Sequence, residues 1–374
     1  MNKLKLATII GTRPEIIRLS EVIKKCDVYF DHMLVHTGQN WDYRLNKIFF
    51  EDLGLRDPDR YLEAVGGDLG ETIGNIIAKS YKLLAETMPD AVLILGDTNS
   101  ALSAIAAKRL KIPVFHMEAG NRCFDENLPE ETNRRIVDHI ADVNLCYIEH
   151  ARRYLNSEGV AKERTYVTGS PMAEVLTANI EKIKNSRVLK TLGLEKGRYI
   201  LLSAHREENI DIENNFLALM NAVNAMAETY GMPIIYSTHP RSAKFIKLRD
   251  FRFHPLVCSL EPFGFSDYNC LQMNAFCVVS DSGTIPEEAS YFKFPAVSVR
   301  TSTERPESLD KGNFIIGSIT SEQVLQAVDL AVAMHGNGDT GLTVPDYADE
   351  NVSVKVVKII QSYTGIVNRM VWRK

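Results

Sequence analysis

Short apolar runs alternate along this chain with stretches whose apolar residues recur at helical spacing, and that alternation constrains the fold more than any other feature. In order they read "LKLATII", a helical pattern from Pro14 to Lys25, "HMLVHTG", the helical stretch "GETIGNIIAKSYKLLAET", "DAVLILGD", "SALSAIAAKRL" and "IPVFHME". Strands this uniformly apolar are buried on both faces, and helical crossovers between them make the sheet parallel. After a polar stretch, "EKIKNSRVLKTLGLEKGR", the order resumes with "YILLSAH", a helix around "NNFLALMNAVNAMAETY", then "PIIYSTHP", "PLVCSL", "FCVVSDSG" and "PAVSVR". The expected class is therefore α/β, with two Rossmann-like doubly wound domains facing a cleft and the active site outside the carboxyl ends of both sheets.

A length of 374 residues agrees with two domains, since one usually holds roughly 100–200. The expected division is 1–185 and 186–360, with 361–374 as a tail that packs back on the first domain. "DAVLILGDTNSALSAIAAKRLKIPVFHMEAG" and "AFCVVSDSGTIPEEASYFKFPAVSVRTS" run through the same order of strand, Asp with small residues, helix, Lys-x-Pro and strand. Convergence on one supersecondary unit accounts for that echo. The last helical pattern, "VSVKVVKIIQSY", fits either half.

The formal charge of −5 and the lack of a long basic stretch argue against nucleic acid as a partner. No apolar run reaches the roughly 18–20 residues of a membrane span, and the start, "MNKLKLATIIGTRPE", does not resemble a signal peptide. The six cysteines form no C-x-x-C pair and read as buried thiols of a reducing compartment, so a cytoplasmic protein is expected. Nor is there a zinc-type His/Cys cluster, and no metal is expected.

Titrating and small residues gather where the strand-like runs end. "GTRPEIIR" follows the first run, where backbone N–H groups at a helix start, with Arg13 and Arg18, suit an anion. A plain strand-to-helix turn with solvated arginines fits equally. The absence of G-x-G-x-x-G there counts against a dinucleotide. In "VVSDSGTIPEEAS", Asp281, Ser282, Gly283 and Thr284 form a strand–turn–helix junction suited to a diphosphate. Glu287 and Glu288 fall in the first turn of the next helix. One complements its dipole, and the other is placed to accept ribose hydroxyls.

In the first half, Asp97, Glu118 and Glu130 end strands or open helices. Asp97 also fits an N-cap, and Glu130 also fits a pair with Arg134 across one turn. Three carboxylates at one sheet edge are nevertheless what acid/base chemistry uses. His205, in "LLSAHREEN", ends a strand beside acids and the phosphate turn, where an imidazole can move a proton or steady a leaving phosphate. His239, in "STHPR", repeats that placement one βα unit later.

Together these segments resemble the non-hydrolysing UDP-N-acetylglucosamine 2-epimerase family. The resemblance covers nearly the whole chain and rests on "GTRPE", "TGQ", "GDT", "EAGNR", "PEETNR", "HREEN", "SDSG" followed by "IPEEA", and "RTSTERPE", in that order. It implies a GT-B-like fold, an isomerase that acts on a UDP-sugar, a homodimer, and no NAD or other cofactor. Arg13 then looks like the nucleotide-contacting arginine, Asp97, Glu118 and Glu130 like the catalytic acids, and His205 like the histidine near the diphosphate. Ser282 and Gly283, with Thr284 beside them, match the phosphate turn, Glu288 the ribose glutamate, and Tyr268 the aromatic near uracil. Arg18 stands where many members have lysine.

After "HTGQ" the chain departs from the run tied to an allosteric UDP-sugar site and reads "NWDYRLNKIFFEDLGLRDPDRYL". With "IIRLSEVIKKCD" this resembles the branch that converts UDP-2-acetamido-2,6-dideoxy-L-talose to UDP-N-acetyl-L-fucosamine for capsule or O-antigen. UDP-N-acetylglucosamine/UDP-N-acetylmannosamine epimerisation is the alternative within the family. A GT-B glycosyltransferase and a non-catalytic nucleotide-sugar binder are the alternatives outside it.

Overall fold

A computed structural model describes residues 3–38, 47–126 and 128–374. Residues 39–46, which carry most of the "HTGQNWDYRLN" departure, lie outside the described residues. The chain divides into two compact units, one made of Met1–Ala178 with Pro345–Lys374, the other of Asn179–Val344. The chain thus leaves the first unit before residue 185 and rejoins it at Pro345, ahead of the expected tail. The final helix, Val352–Met370, packs on the helix Arg13–Tyr29 of the first unit.

The first unit holds strands β1 (Lys5–Ile10), β2 (Asp31–His36), β3 (Arg60–Tyr61), β4 (Ala91–Leu95), β5 (Val114–Met117), β6 (Val143–Cys146) and β7 (Thr165–Val167). The second holds β8 (Ile200–Ser203), β9 (Ile234–Ser237), β10 (Val257–Leu260), β11 (Cys277–Ser280), β12 (Ala296–Ser298) and β13 (Ile315–Ile316). Their orders are β3-β2-β1-β4-β5-β6-β7 and β10-β9-β8-β11-β12-β13, and the recorded pairings are all parallel. Both are doubly wound sheets whose order reverses beside the first strand, at β1/β4 and at β8/β11. Both sheets are as expected from the alternation. Strands that periodicity left out are the two-residue β3 and β13 and the short β6 and β7, too brief to show a pattern.

Central strands β4, β5, β8 and β11 are buried at every residue, which matches their unbroken apolar sequences. One interior packs Ile94, Val92 and Val114 against Leu83, Leu84 and Ala104 of the flanking helices. The other packs Leu202, Val279 and Val297 against Phe216, Met220, Val223 and Val328. Edge strand β10 is half exposed and carries Cys258, the exposed thiol, while the other five cysteines are buried and free. Among the described residues no helix is long and apolar enough to cross a membrane.

The turn after β5 is fixed by a buried ionic cluster. Asp138 is fully buried; its oxygens lie 3.0 Å from His116 Nδ1 and 2.7 Å from Arg122 Nη1, and accept from Gly120 N–H at 3.1 and 3.2 Å. Burial alone would raise its pKa, but His116 and Arg122 outweigh that and hold it below the usual carboxylate range. Gly120 has φ of +83°, and a Cβ there would lie 2.5 Å from the Ala151 carbonyl oxygen. Gly120→Ala combines left-handed strain with that overlap, so we expect a loss of at least about 2 kcal/mol in urea-induced unfolding.

Candidate active site

The reversal of strand order leaves a crevice at the carboxyl end of each sheet, and the singled-out residues fall there in both units. In the first unit β1 runs into Gly11, Thr12 and the helix Arg13–Tyr29. The loop N–H groups do not form the expected anion site. Glu15, 1% exposed, takes the Gly11 N–H at 3.0 Å, the Thr12 N–H at 2.8 Å and the Thr12 hydroxyl at 2.8 Å on one oxygen. Its other oxygen accepts from the Ser100 hydroxyl across the crevice. Arg13 remains at the turn, its guanidinium 5.7 Å from the Phe49 ring centroid.

Beside it β4 ends in Gly96 and Asp97. Asp97 is not an N-cap, because the helical turn starts at Asn99 with Thr98 as its cap. Instead Arg134 holds it, with Nε and Nη2 at 2.8 and 2.7 Å from Oδ2, while the Asn133 amide donates to the Asp97 carbonyl. Glu118, 8% exposed, follows β5 and pairs with Arg18, and the Asn121 amide donates to it at 3.1 Å. Its own φ is +63°, a conformation that costs a glutamate about 1–3 kcal/mol and is stored where function over-determines the geometry. A Cβ on Gly96 would sit 3.3 Å from Glu118 Oε2, so Glu118 packs against the turn that carries Asp97.

Glu130 is half-buried in the first turn of the helix Pro129–Ile140. The pair expected between it and Arg134 is made by Glu131 instead, fully buried, 3.0 Å from Arg134 and accepting from Cys123 N–H at 3.3 Å. Helical geometry explains the shift: Arg134 is three residues from Glu131, and both face inward.

In the second unit the crevice lies between the ends of β8 and β11. Asp281, fully buried, accepts the backbone N–H groups of His205 and Arg206 at 2.9 Å and the Asn209 amide at 3.1 Å. Its Oδ1 lies 3.5 Å from His205 Nδ1. His205 stacks on His239, centroids 5.0 Å apart, and His239 Nδ1 also accepts from Arg241 N–H as the N-cap of the helix Pro240–Leu248. Ser282 and Thr284 hydroxyls are 3.0 Å apart, and Ser280 and Ser282 hydroxyls accept the N–H groups of Ser282 and Thr284. The turn is therefore more self-satisfied than an open diphosphate cradle. Glycine is required at 283, since a Cβ would come within 2.8 Å of Glu304 Oε1, a carboxylate held by Arg206 at 3.3 Å and Arg300 at 2.6 Å.

Glu287 and Glu288 are both buried in the first turn of the helix Ile285–Phe292. Glu288 accepts the Gln272 amide at 2.6 Å, and Glu287 faces Arg305 at 3.9 Å. Tyr268 lies one turn before Gln272 on the helix Phe265–Asn274, on the same helical face.

A sequence profile of the UDP-N-acetylglucosamine 2-epimerase family matches residues 24–361. The chain belongs to that family. It is accordingly an isomerase, which sets aside the glycosyltransferase and the non-catalytic binder. A UDP-N-acetylglucosamine 2-epimerase of Methanocaldococcus jannaschii is 35% identical over 356 residues, 90% of this chain and 97% of that one. The solved structure of UDP-N-acetylglucosamine 2-epimerase from Rickettsia bellii is 48% identical and superposes with a TM-score of 0.93 over 100% of both chains. The Methanocaldococcus jannaschii enzyme in complex with UDP-N-acetylglucosamine and UDP is 32% identical by structural superposition, with a TM-score of 0.90 over 96% of this chain and 99% of that one. The resemblance read from the motifs thus holds for the family and for its GT-B-like pair of doubly wound units.

Sequence reading passed over Glu15, Arg206, Asn209 and Glu304, took Asp281 only as part of the phosphate turn, and took Arg134 only as a partner for Glu130. The signal was present in part, because Glu15 and Glu304 are acids inside the quoted motifs. Glu15 also titrates unusually. Burial pushes its carboxyl up from 4.5 to about 7, against the opposing hydrogen bonds from Ser100, Thr12 and Gly11. The folded state then binds the Glu15 proton more tightly than the unfolded state, so its contribution is most favourable below pH 4.5 and falls as pH rises through about 7. Glu15→Gln removes that loss. Its stability relative to wild type should therefore rise between pH 5 and pH 8, by up to about 3 kcal/mol, in urea melts at the two pH values.

Proposed function

We propose that the protein inverts C2 of a UDP-N-acetylhexosamine by elimination and re-addition of UDP. The observation that carries this reading is the pairing of Glu118, in strained backbone against the turn that carries Asp97, with a full-length match to epimerase structures. A C2 proton next to an acetal carbon is too weakly acidic for direct removal. Breaking the C1–O bond in the same step solves that difficulty: a carboxylate takes the C2 proton, its electron pair forms the C1–C2 double bond, and UDP leaves with the C1–O pair. A 2-acetamidoglycal results. UDP oxygen then returns to C1 while a proton reaches C2 from the other face.

In this reading Asp97, Glu118 and Glu130 supply the acid and base. Arg13, Arg18, Ser282, Gly283, Thr284, His205 and His239 hold the diphosphate and meet its growing charge. Glu288 accepts from the ribose and Tyr268 stacks near the uracil. Ion pairs tie Asp97 to Arg134 and Glu118 to Arg18.

For the sugar we favour UDP-2-acetamido-2,6-dideoxy-L-talose, converted to UDP-N-acetyl-L-fucosamine for capsule or O-antigen by a cytoplasmic homodimer. The sequence "NWDYRLNKIFFEDLGL" after the second strand-like run supports that branch. Interconversion of UDP-N-acetylglucosamine and UDP-N-acetylmannosamine is the second reading, favoured by the similarity to the UDP-N-acetylglucosamine 2-epimerases of Methanocaldococcus jannaschii and Rickettsia bellii.

Proton NMR in deuterium oxide separates the two. Deuterium at C2 with a new epimer is expected from UDP-N-acetyl-L-fucosamine; exchange from UDP-N-acetylglucosamine alone would transfer the reading to the second sugar, and exchange from neither would overturn the reaction. Asp97→Asn and Glu118→Gln should each lower the exchange rate at least about 100-fold, measured with the responsive sugar at saturation.

A further inference from the structure

Glu15 belongs to a helix start, and a capping box explains only half of what it does. Reciprocal capping needs one carboxylate oxygen, and Oε2 alone takes the Gly11 and Thr12 N–H groups and the Thr12 hydroxyl. Such a glutamate works well at a solvent-exposed helix end. This one is 1% exposed, and burying a carboxylate is costly unless its remaining lone pairs are satisfied.

The other oxygen leaves the helix altogether. Oε1 accepts the hydroxyl of Ser100, which is fully buried and 85 residues away, and Ser100 Oγ lies 2.6 Å from Thr98 Oγ1. With the Ser100 proton committed to Glu15, Thr98 is the donor of that second bond. The chain Thr98 to Ser100 to Glu15 thus runs across the reversal in strand order, from the turn after β4 to the turn after β1. Arg13 stands on one side of this link and Asp97 on the other. Arg134 and Asn133 hold Asp97 from the opposite direction. The turn that carries Asp97 is therefore tethered on two sides, and the Glu15 side connects it to the arginine turn.

We propose that Glu15 is a positioning residue of this enzyme, whose buried carboxylate locks the Arg13 turn to the Asp97–Ser100 turn and so sets where Asp97 stands. It touches no reacting atom. Its effect on the reaction passes through Asp97, and that makes it separable from a purely structural cap.

Ser100→Ala is the informative variant, because it cuts the link and leaves the capping box whole. This part of the proposal rests on the epimerase reading, and the rate measured is C2 deuterium exchange with whichever UDP-sugar responds. Ser100→Ala should lower kcat about tenfold with KM changed less than about twofold, since misplacement of an acid by a fraction of an ångström costs rate and not binding. In an Asp97→Asn background the same change should cost less than about twofold, the signature of residues acting as one unit. Glu15→Gln, whose amide can donate to Ser100 while its oxygen keeps the Oε2 contacts, should rescue most of the loss seen in Glu15→Ala.

An equal cost in both backgrounds, or wild-type kcat in folded Ser100→Ala, overturns the proposal. If no nucleotide sugar exchanges at all, the function reading fails by itself, and amide hydrogen exchange still decides the link. Gly11, Thr12 and the amides of 96–99 should then exchange at least about tenfold faster in Glu15→Ala than in wild type. Acceleration confined to Gly11 and Thr12 would leave a helix cap and nothing more.

Discussion

Both crevices depend on one constraint: strand-end N–H groups at the switch point of a parallel sheet have no neighbouring strand to bond. A buried N–H left alone costs about 1–3 kcal/mol. Each unit meets the cost with a buried carboxylate, which offers several acceptor sites where a carbonyl offers two. In the first unit it is Glu15, on the β1 side, taking Gly11, Thr12 and Ser100. In the second it is Asp281, on the β11 side, taking His205, Arg206 and Asn209. The device is the same and the direction is reversed, so the two halves converged on a physical requirement and not on a shared residue pattern. Arg13, Asp97, His205 and Ser282 are carried on the loops these two acids hold.

Around the acids the guanidiniums are distributed with little surplus. Arg18 is matched by Glu118, and Arg134 by both Asp97 and Glu131. Arginine suits these places because its planar fork can grip two carboxylates at once and stays charged under burial, which a lysine ammonium does less well. Arg134 shows the use of that fork: one side orders Asp97, and the other meets Glu131 on its own helix, whose carboxylate also takes the Cys123 N–H. The consequence for Glu130 is positional. With Glu131 spent on structure, its neighbour is the acid of that pair left at the partly open edge.

The fold was legible because parallel sheets write themselves as unbroken apolar runs, and "DAVLILGD" and "FCVVSDSG" leave no other use for so much buried surface. Which acid does which job was less legible. Asp97 and Glu118 stood out at strand ends, but "PEE" offers two glutamates one residue apart, and only the helical phase fixed by Arg134 tells them apart. Glu15 was hidden for a related reason. Within "GTRPE" it reads as a routine helix-start acid, and its partner Ser100 lies on another loop, a contact that spacing along one chain cannot express. The expectation of open N–H groups after β1 failed at the same residue, since the donors were already taken by Glu15.

The second unit shows how closely charge is balanced where a diphosphate is expected. Arg206 and Arg300 face Glu304, with Asp281 and Glu208 beside them, so both cations are already matched before any ligand arrives. An incoming dianion gains little from such a set by net charge alone. What remains to favour it is local and directional: the N-terminus of the helix Ile285–Phe292 and the stacked imidazoles of His205 and His239. His205 Nδ1 lies 3.5 Å from Asp281 Oδ1 and His239 Nδ1 accepts from Arg241 N–H, so both rings are held in place by the crevice itself.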